Sequence, residues 1–136
     1  MKTNVLYRPV GPAELARIVA LRFRGFPPRL SWQPIFYPVL NFAYAEQIAR
    51  DWNARSEEAF YCGFVTKFEV DSGYLRQFEI QTVGAAVHQE LWVPAEELAT
   101  LNSKISGLIQ VVAGYFDKRF DKQRLPEEVK QIVDKL

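Results

Sequence analysis

The chain has 136 residues, 49% of them hydrophobic and 24% charged, which is typical of one globular domain and excludes global disorder. Its formal net charge of +1 provides no strong positive field, so neither nucleic acid nor an anionic membrane surface is an expected partner. A single cysteine and a single histidine exclude a disulfide framework and a metal site built from several such side chains, and we expect no bound metal.

The N-terminal residues and the hydrophobic runs predict a cytoplasmic protein. No stretch approaches the roughly 20 apolar residues of a membrane-spanning helix. Residues 1–4 lead directly into a strand-like run and lack the apolar core of a signal peptide. Cys62 lies in the apolar run of residues 60–64, so we expect an inert, buried thiol there.

The first part of the chain predicts a strand and two helices with a long loop between the helices. Residues 5–10 read as a short apolar strand. A proline in the first turn, an acid beside it and apolar residues at helical spacing predict a helix over residues 12–23. Prolines make residues 24–34 an irregular loop. Asn41 is a suitable N-cap for a second helix over residues 42–53.

The second part of the chain is richer in strands. Apolar side chains alternate over residues 60–70, which is the clearest strand signal in the sequence. Further strands are predicted over residues 78–83, 87–93 and 107–116, and further helices over residues 95–104 and 126–135. A charged segment separates the last of these strands from the amphipathic C-terminal helix.

The order of these elements predicts an α+β fold. Strands after residue 60 follow one another almost directly, which favours a bent or split mixed sheet flanked by helices over a doubly wound parallel sheet. We assign residues 1–116 to a single domain. The charged linker and helix of residues 117–136 are expected to pack on that domain, and docking on a partner is the alternative.

Most sequence motifs that indicate a particular enzymatic reaction are absent. The chain contains no phosphate-binding GxxxxGK[ST] loop, no GxGxxG dinucleotide fingerprint, no GxSxG elbow and no HExxH helix. Phosphoryl transfer on such a loop and α/β-hydrolase chemistry are therefore not supported.

Two groups of residues in the first part of the chain have chemistry suited to ligand binding. Arg8, at the end of the first strand, presents a fork of donors that suits a phosphate or a carboxylate, or it is an ordinary surface arginine. Residues 36–45 place Tyr37, Asn41 and Tyr44 at a junction between loop and helix. Such a junction can hold a flat heterocycle by stacking, or it can fill the core.

A third group lies on the strand predicted over residues 87–93. Side chains alternate along a strand, so His88, Glu90 and Trp92 share one face. A carboxylate between an imidazole and an indole can stabilise a developing cation or accept a proton. The alternative is a glutamate on an edge strand that points into water.

The order of the three groups resembles the ADP-ribosyltransferase-like superfamily, which has a basic residue on its first strand, an aromatic or serine-containing junction, and a glutamate on a late strand. Over about residues 5–116 the chain is also similar to a group of small bacterial proteins associated by name with ADP-ribosylation and J-type crystallin. The runs that carry this second resemblance are Leu6–Gly11, Phe26–Leu30, Pro34–Asn41 and Trp92–Leu98.

The resemblance implies an ADP-ribosyltransferase-like sheet and NAD as substrate. It implies that Arg8 contacts NAD, that Tyr37 and Tyr44 hold the nicotinamide, and that Glu90 is catalytic and stabilises an oxocarbenium-like transition state. Asn41 and His88 complete the expected cofactor-binding set. His88 departs from the Glu or Gln that many such transferases have two residues before the catalytic Glu.

The expected reaction is transfer of ADP-ribose, with a protein as one acceptor, or cleavage of the nicotinamide–ribose bond. A non-catalytic interaction module on the same scaffold is the main alternative. Transfer of an RNA 2′-phosphate on a related fold is a third option, and it would require more basic residues in the pocket than the sequence identifies.

Overall fold

The computed structural model describes residues 2–136, and it shows the α+β class that the sequence predicts. The helices are α1 (Pro12–Ala20), α2 (Phe42–Asp51), α3 (Ser72–Leu75), α4 (Leu98–Ser103) and α5 (Glu127–Lys135), with 3₁₀ turns at Asn53–Arg55, Ala95–Glu97 and Lys122–Arg124. The strands are β1 (Thr3–Val10), β2 (Ile35–Phe36), β3 (Cys62–Asp71), β4 (Ile80–Thr82), β5 (Gln89–Leu91), β6 (Val93–Pro94) and β7 (Ile105–Phe116).

The central sheet has the strand order β1–β3–β7, and both pairs of neighbours are antiparallel. Alternation along β3 produces its two faces. Phe64 and Phe68 belong to the larger hydrophobic core, to which α1, α4 and α5 contribute buried side chains. Val65 lies on the opposite face in a smaller cluster with Ala45 and Ala49 of α2. The sheet is therefore covered by helices on both faces, which explains why β3 is buried on both.

The split of the sheet occurs at Val39. Its backbone exchanges two hydrogen bonds with Tyr7 of β1, at 2.8 and 2.9 Å. The flanking residues bond to β5 on the other side, because Leu40 N–H donates to Gln89 O at 3.0 Å and Leu91 N–H donates to Pro38 O at 2.9 Å. The hairpin of β4 and β5 is thus joined to β1 through an isolated bridge, while β2 and β6 form a separate pair.

A glycine allows α2 to lie close to the sheet. A Cβ atom added to Gly63 of β3 would lie 2.6 Å from both Ala49 O and Asn53 Cβ, a distance that requires the helix or the strand to move. The glycine at this position therefore sets how closely α2 can approach the sheet.

Several predicted elements are shorter in the structure, and in two of them left-handed backbone sets the new end. The first helix ends at Ala20 rather than residue 23, because Arg22 and Phe23 have left-handed φ angles of 58° and 60°. The strand predicted from residue 60 begins at Cys62 for the same reason, since Phe60 and Tyr61 have φ angles of 53° and 58°. Left-handed backbone in non-glycine residues is not signalled by apolar patterning.

The C-terminal helix α5 contacts α1, and its residue Val129 is fully buried in the larger core. Cys62 is also fully buried, and burial raises the pKa of its thiol to about 12. Among residues 2–136, no helix combines the length and apolar character needed to cross a bilayer.

Candidate functional site

Two neutral donors hold the carboxylate of Glu90, on β5. The Tyr44 hydroxyl donates to Oε2 at 2.8 Å, and the Trp92 indole N–H donates to Oε1 at 2.7 Å. Neither donor carries a positive charge, so the hydrogen bonds orient the carboxylate without neutralising it. The arrangement is suited to stabilising a positive charge that develops beside it.

The Tyr44 hydroxyl remains a donor over a wide pH range. Burial, the hydrogen bond to Glu90 and the negative charge of that carboxylate together raise the pKa of Tyr44 to about 12. At neutral pH the proton therefore resides on the phenol.

Asn41 positions this pair from the start of α2. It is the helix N-cap, as the sequence predicts, because its Oδ1 accepts from Tyr44 N–H at 2.8 Å. Its Nδ2 donates to Val87 O at 2.6 Å and thereby connects α2 with the segment that leads into β5. In the structure Asn41 fixes the backbone on which Tyr44 and Glu90 meet.

His88 packs on the same tyrosine. Its ring stacks on Tyr44 with centroids 4.6 Å apart and planes 27° from parallel. Its Nε2 lies 2.7 Å from Gln47 Oε1 and its Nδ1 lies 3.2 Å from Val83 O. These contacts fix the orientation of the imidazole and, through it, that of the Tyr44 ring.

An accessible aromatic pair borders Glu90 on the other side. Tyr37 and Trp92 meet edge to face, with centroids 6.4 Å apart, and they are 39% and 45% exposed. The structure thus brings Glu90, Tyr44, His88 and Asn41 into one cluster, and Tyr37 joins it through Trp92. Exposed aromatic edges beside a fixed carboxylate offer a stacking surface to a flat ring.

The Arg8 side chain does not join the cluster around Glu90. It follows Tyr7 in β1, so its side chain points to the opposite face of that strand from the residue that pairs with Val39. Its Nε and Nη2 donate to the two carboxylate oxygens of Glu14 at 2.6 and 2.9 Å, and its guanidinium lies 4.6 Å from the centre of the Phe36 ring. The residue is only 9% exposed. Its predicted contact with NAD stays a prediction.

Arg29 is not among the site residues predicted from the sequence, and it lies beside Arg8. Its Nε donates to Ile35 O at 3.1 Å, and Ile35 directly precedes the phenylalanine over which Arg8 stacks. Partial burial and the positive charge of Arg8 lower the pKa of Arg29. The only signal for this position in the sequence is an arginine that directly follows two prolines, which restrict the loop.

A broad open groove of about 980 Å³ passes Tyr44 and His88. Trp52, which is 73% exposed, also lines this groove. Its lining includes the carboxylates of Glu14 and Glu58 and, within residues 2–136, no lysine or arginine. An anionic ligand group has no ionic partner there.

No protein-family model, curated protein or solved structure matched the chain in the three comparisons with known proteins. Over the described residues, no three His, Cys, Asp or Glu side chains lie close enough to share a metal ion.

Proposed function

We propose that the chain is an ADP-ribosyltransferase-like protein that binds NAD or a related nucleotide and acts on its nicotinamide–ribose bond. The observation that carries the proposal is the Glu90 carboxylate, which is fixed by two neutral donors and bordered by accessible aromatic rings. The resemblance described above independently assigns the catalytic role to the same residue.

The reaction would use the charge of Glu90 in the transition state. As the bond between ribose C1′ and the nicotinamide nitrogen breaks, the bonding pair leaves with neutral nicotinamide and positive charge develops on the ribose. The carboxylate of Glu90 stabilises that charge. Water, or a hydroxyl of an acceptor, then forms the new C1′–O bond and loses its proton to solvent. Tyr37, Trp92 and Tyr44 supply the surfaces against which the nicotinamide stacks.

Release of nicotinamide from NAD tests the proposal. Glu90→Gln is expected to lower the rate about 100- to 1,000-fold, because the amide keeps the shape but loses the charge. The variant should retain both contacts, since the amide oxygen accepts from Trp92 and the amide nitrogen donates to the Tyr44 oxygen. Glu57→Gln, the same change at an exposed position, is the control and should leave the rate unchanged. A wild-type rate no greater than that of buffer would refute the catalytic function, and equal rates in wild type and Glu90→Gln would remove Glu90 from the mechanism.

An interaction module is the second candidate function. Trp32 and Trp52 are each 73% exposed, and Trp52 borders the groove. Exposed tryptophans are common anchors in protein interfaces. A wild type that neither releases nicotinamide nor gains thermal stability with NAD or ADP-ribose at millimolar concentration would favour this function.

A further inference from the structure

The guanidinium of Arg29 is held in place but keeps free hydrogen-bonding capacity. Its Nε is fixed by Ile35 O at 3.1 Å. Among residues 2–136, neither Nη atom has an acceptor within hydrogen-bonding distance, and no carboxylate lies within ion-pair distance of the side chain. The residue is only partly exposed, so this charge is not simply a solvated surface arginine. Two terminal nitrogens of an arginine in this condition suit bidentate binding of an anion.

The surroundings of Arg29 carry excess positive charge. Arg8 lies beside it, because the two side chains contact the consecutive residues Ile35 and Phe36. One carboxylate, Glu14, serves this pair of arginines, and both of its oxygens are bound to Arg8. The group of Arg8, Glu14 and Arg29 therefore has a net charge of +1, and the uncompensated part lies on Arg29.

We propose that Arg29 binds a phosphate or pyrophosphate group of the ligand, because the pairing of Glu14 with Arg8 leaves the charge of Arg29 uncompensated. The identity of the rest of that ligand rests on the proposed function, whereas the anion site itself does not. Tyr37 connects the two regions, since it follows Ile35, whose carbonyl binds Arg29, by two residues and its ring meets that of Trp92, which holds Glu90. A nucleotide bound along this path would place its anionic group at Arg29 and its base or ribose beside the aromatic pair. The groove at Tyr44 and His88 lacks a cation to do the same.

Calorimetric titration with inorganic pyrophosphate, ADP and nicotinamide riboside tests the anion site in the folded wild-type protein. Pyrophosphate and ADP should bind with affinities that fall as salt is raised. Arg29→Gln should weaken both about 10- to 100-fold and should leave the affinity for nicotinamide riboside, which has no phosphate, unchanged. Arg29→Lys keeps the charge but not the fork of donors, so an intermediate affinity is expected. Arg24→Gln removes the same charge from an exposed side chain of the same loop and should have no effect.

The outcomes separate this proposal from the proposed function. Binding of pyrophosphate that depends on Arg29, without release of nicotinamide from NAD, would support the anion site and refute the catalytic function. Affinities for pyrophosphate and ADP that are equal in wild type and Arg29→Gln would overturn the anion site even if nicotinamide is released. A wild type that binds neither anion would also overturn it. Thermal unfolding of each variant identifies loss of folding, and Arg29→Lys provides the comparison if Arg29→Gln is unstable.

Discussion

Glu14 and Glu90 are both carboxylates with two hydrogen bonds, but they differ in the charge of their partners. Glu14 is bound by the cationic fork of Arg8, so its charge is compensated within the fold. Glu90 is bound by a phenol and an indole, both neutral, so its charge is not. The difference indicates that the first carboxylate serves the structure, whereas the negative charge of the second has no cationic partner among its hydrogen bonds.

The largest effect on stability is expected at the compensated carboxylate. Arg8→Ala removes a buried cation, leaves the half-buried Glu14 without its partner, and should lower the free energy of unfolding by about 3 kcal/mol. Chemical denaturation measures the change. Arg50→Ala, which breaks an exposed ion pair with Asp51, is the control and should lower the free energy of unfolding far less. The structural role of the Arg8–Glu14 pair would be contradicted if Arg8→Ala lowered the free energy of unfolding no more than Arg50→Ala. It gains support if Arg8→Ala/Glu14→Ala is more stable than the sum of the single changes predicts.

A smaller effect is expected from moving α2, which carries Tyr44 to Glu90. Gly63→Ala introduces a Cβ atom 2.6 Å from the α2 backbone and should destabilise the protein by about 1–3 kcal/mol. It should also weaken the contact between Tyr44 and Glu90 because the helix must shift. Gly73→Ala, where the nearest atom outside the immediate neighbours is 3.4 Å away, is the control and should be close to neutral. Thermal unfolding of the two variants measures the difference, and equal midpoints would show that α2 accommodates the methyl group without cost.

The smallest effect concerns the neutral donor at Glu90. Folding raises the pKa of Tyr44 from its ordinary value of 10.0 to about 12. The protonated phenol is thus favoured by folding, so this contribution is fully present below about pH 10 and is lost as pH rises from 10 to 12. Tyr44→Phe should therefore show a shallower loss of stability over this window than the wild type. Denaturation at pH 9 and pH 11.5 measures both slopes. Identical slopes would mean that Tyr44 ionises as readily in the folded protein as in the unfolded one.

Patterning in the sequence predicts much of the fold, because apolar periodicity reports burial directly. The alternation along residues 60–70 identifies β3, and Asn41 is recognised as an N-cap from its chemistry and position. The alternation likewise puts His88, Glu90 and Trp92 on one face, and the structure adds the Tyr44 contact that fixes the carboxylate. Helix and strand ends that depend on left-handed residues, such as Phe23 and Tyr61, have no comparable signal.

The partners of the arginines could not be predicted in the same way. The Arg8–Glu14 pair is set by the turn between β1 and α1, and that turn is a matter of backbone geometry rather than composition. Arg29 lies in a loop without periodicity, so its approach to Arg8 depends on the path of the chain through the prolines. Long-range placement of loop side chains requires the folded structure.

The single-residue bridge at Val39 also divides the molecule into two parts that are expected to differ in local stability. The hairpin of β4 and β5, with Glu90 on its inner strand, is attached to β1 through the few backbone hydrogen bonds around that residue. The β1–β3–β7 sheet, in contrast, is paired over long stretches and covered on both faces. Backbone amides of the hairpin should therefore exchange with deuterium through local opening, while those of the central sheet should exchange only on global unfolding. The segment that carries Glu90 is therefore expected to have a lower local stability than the central sheet.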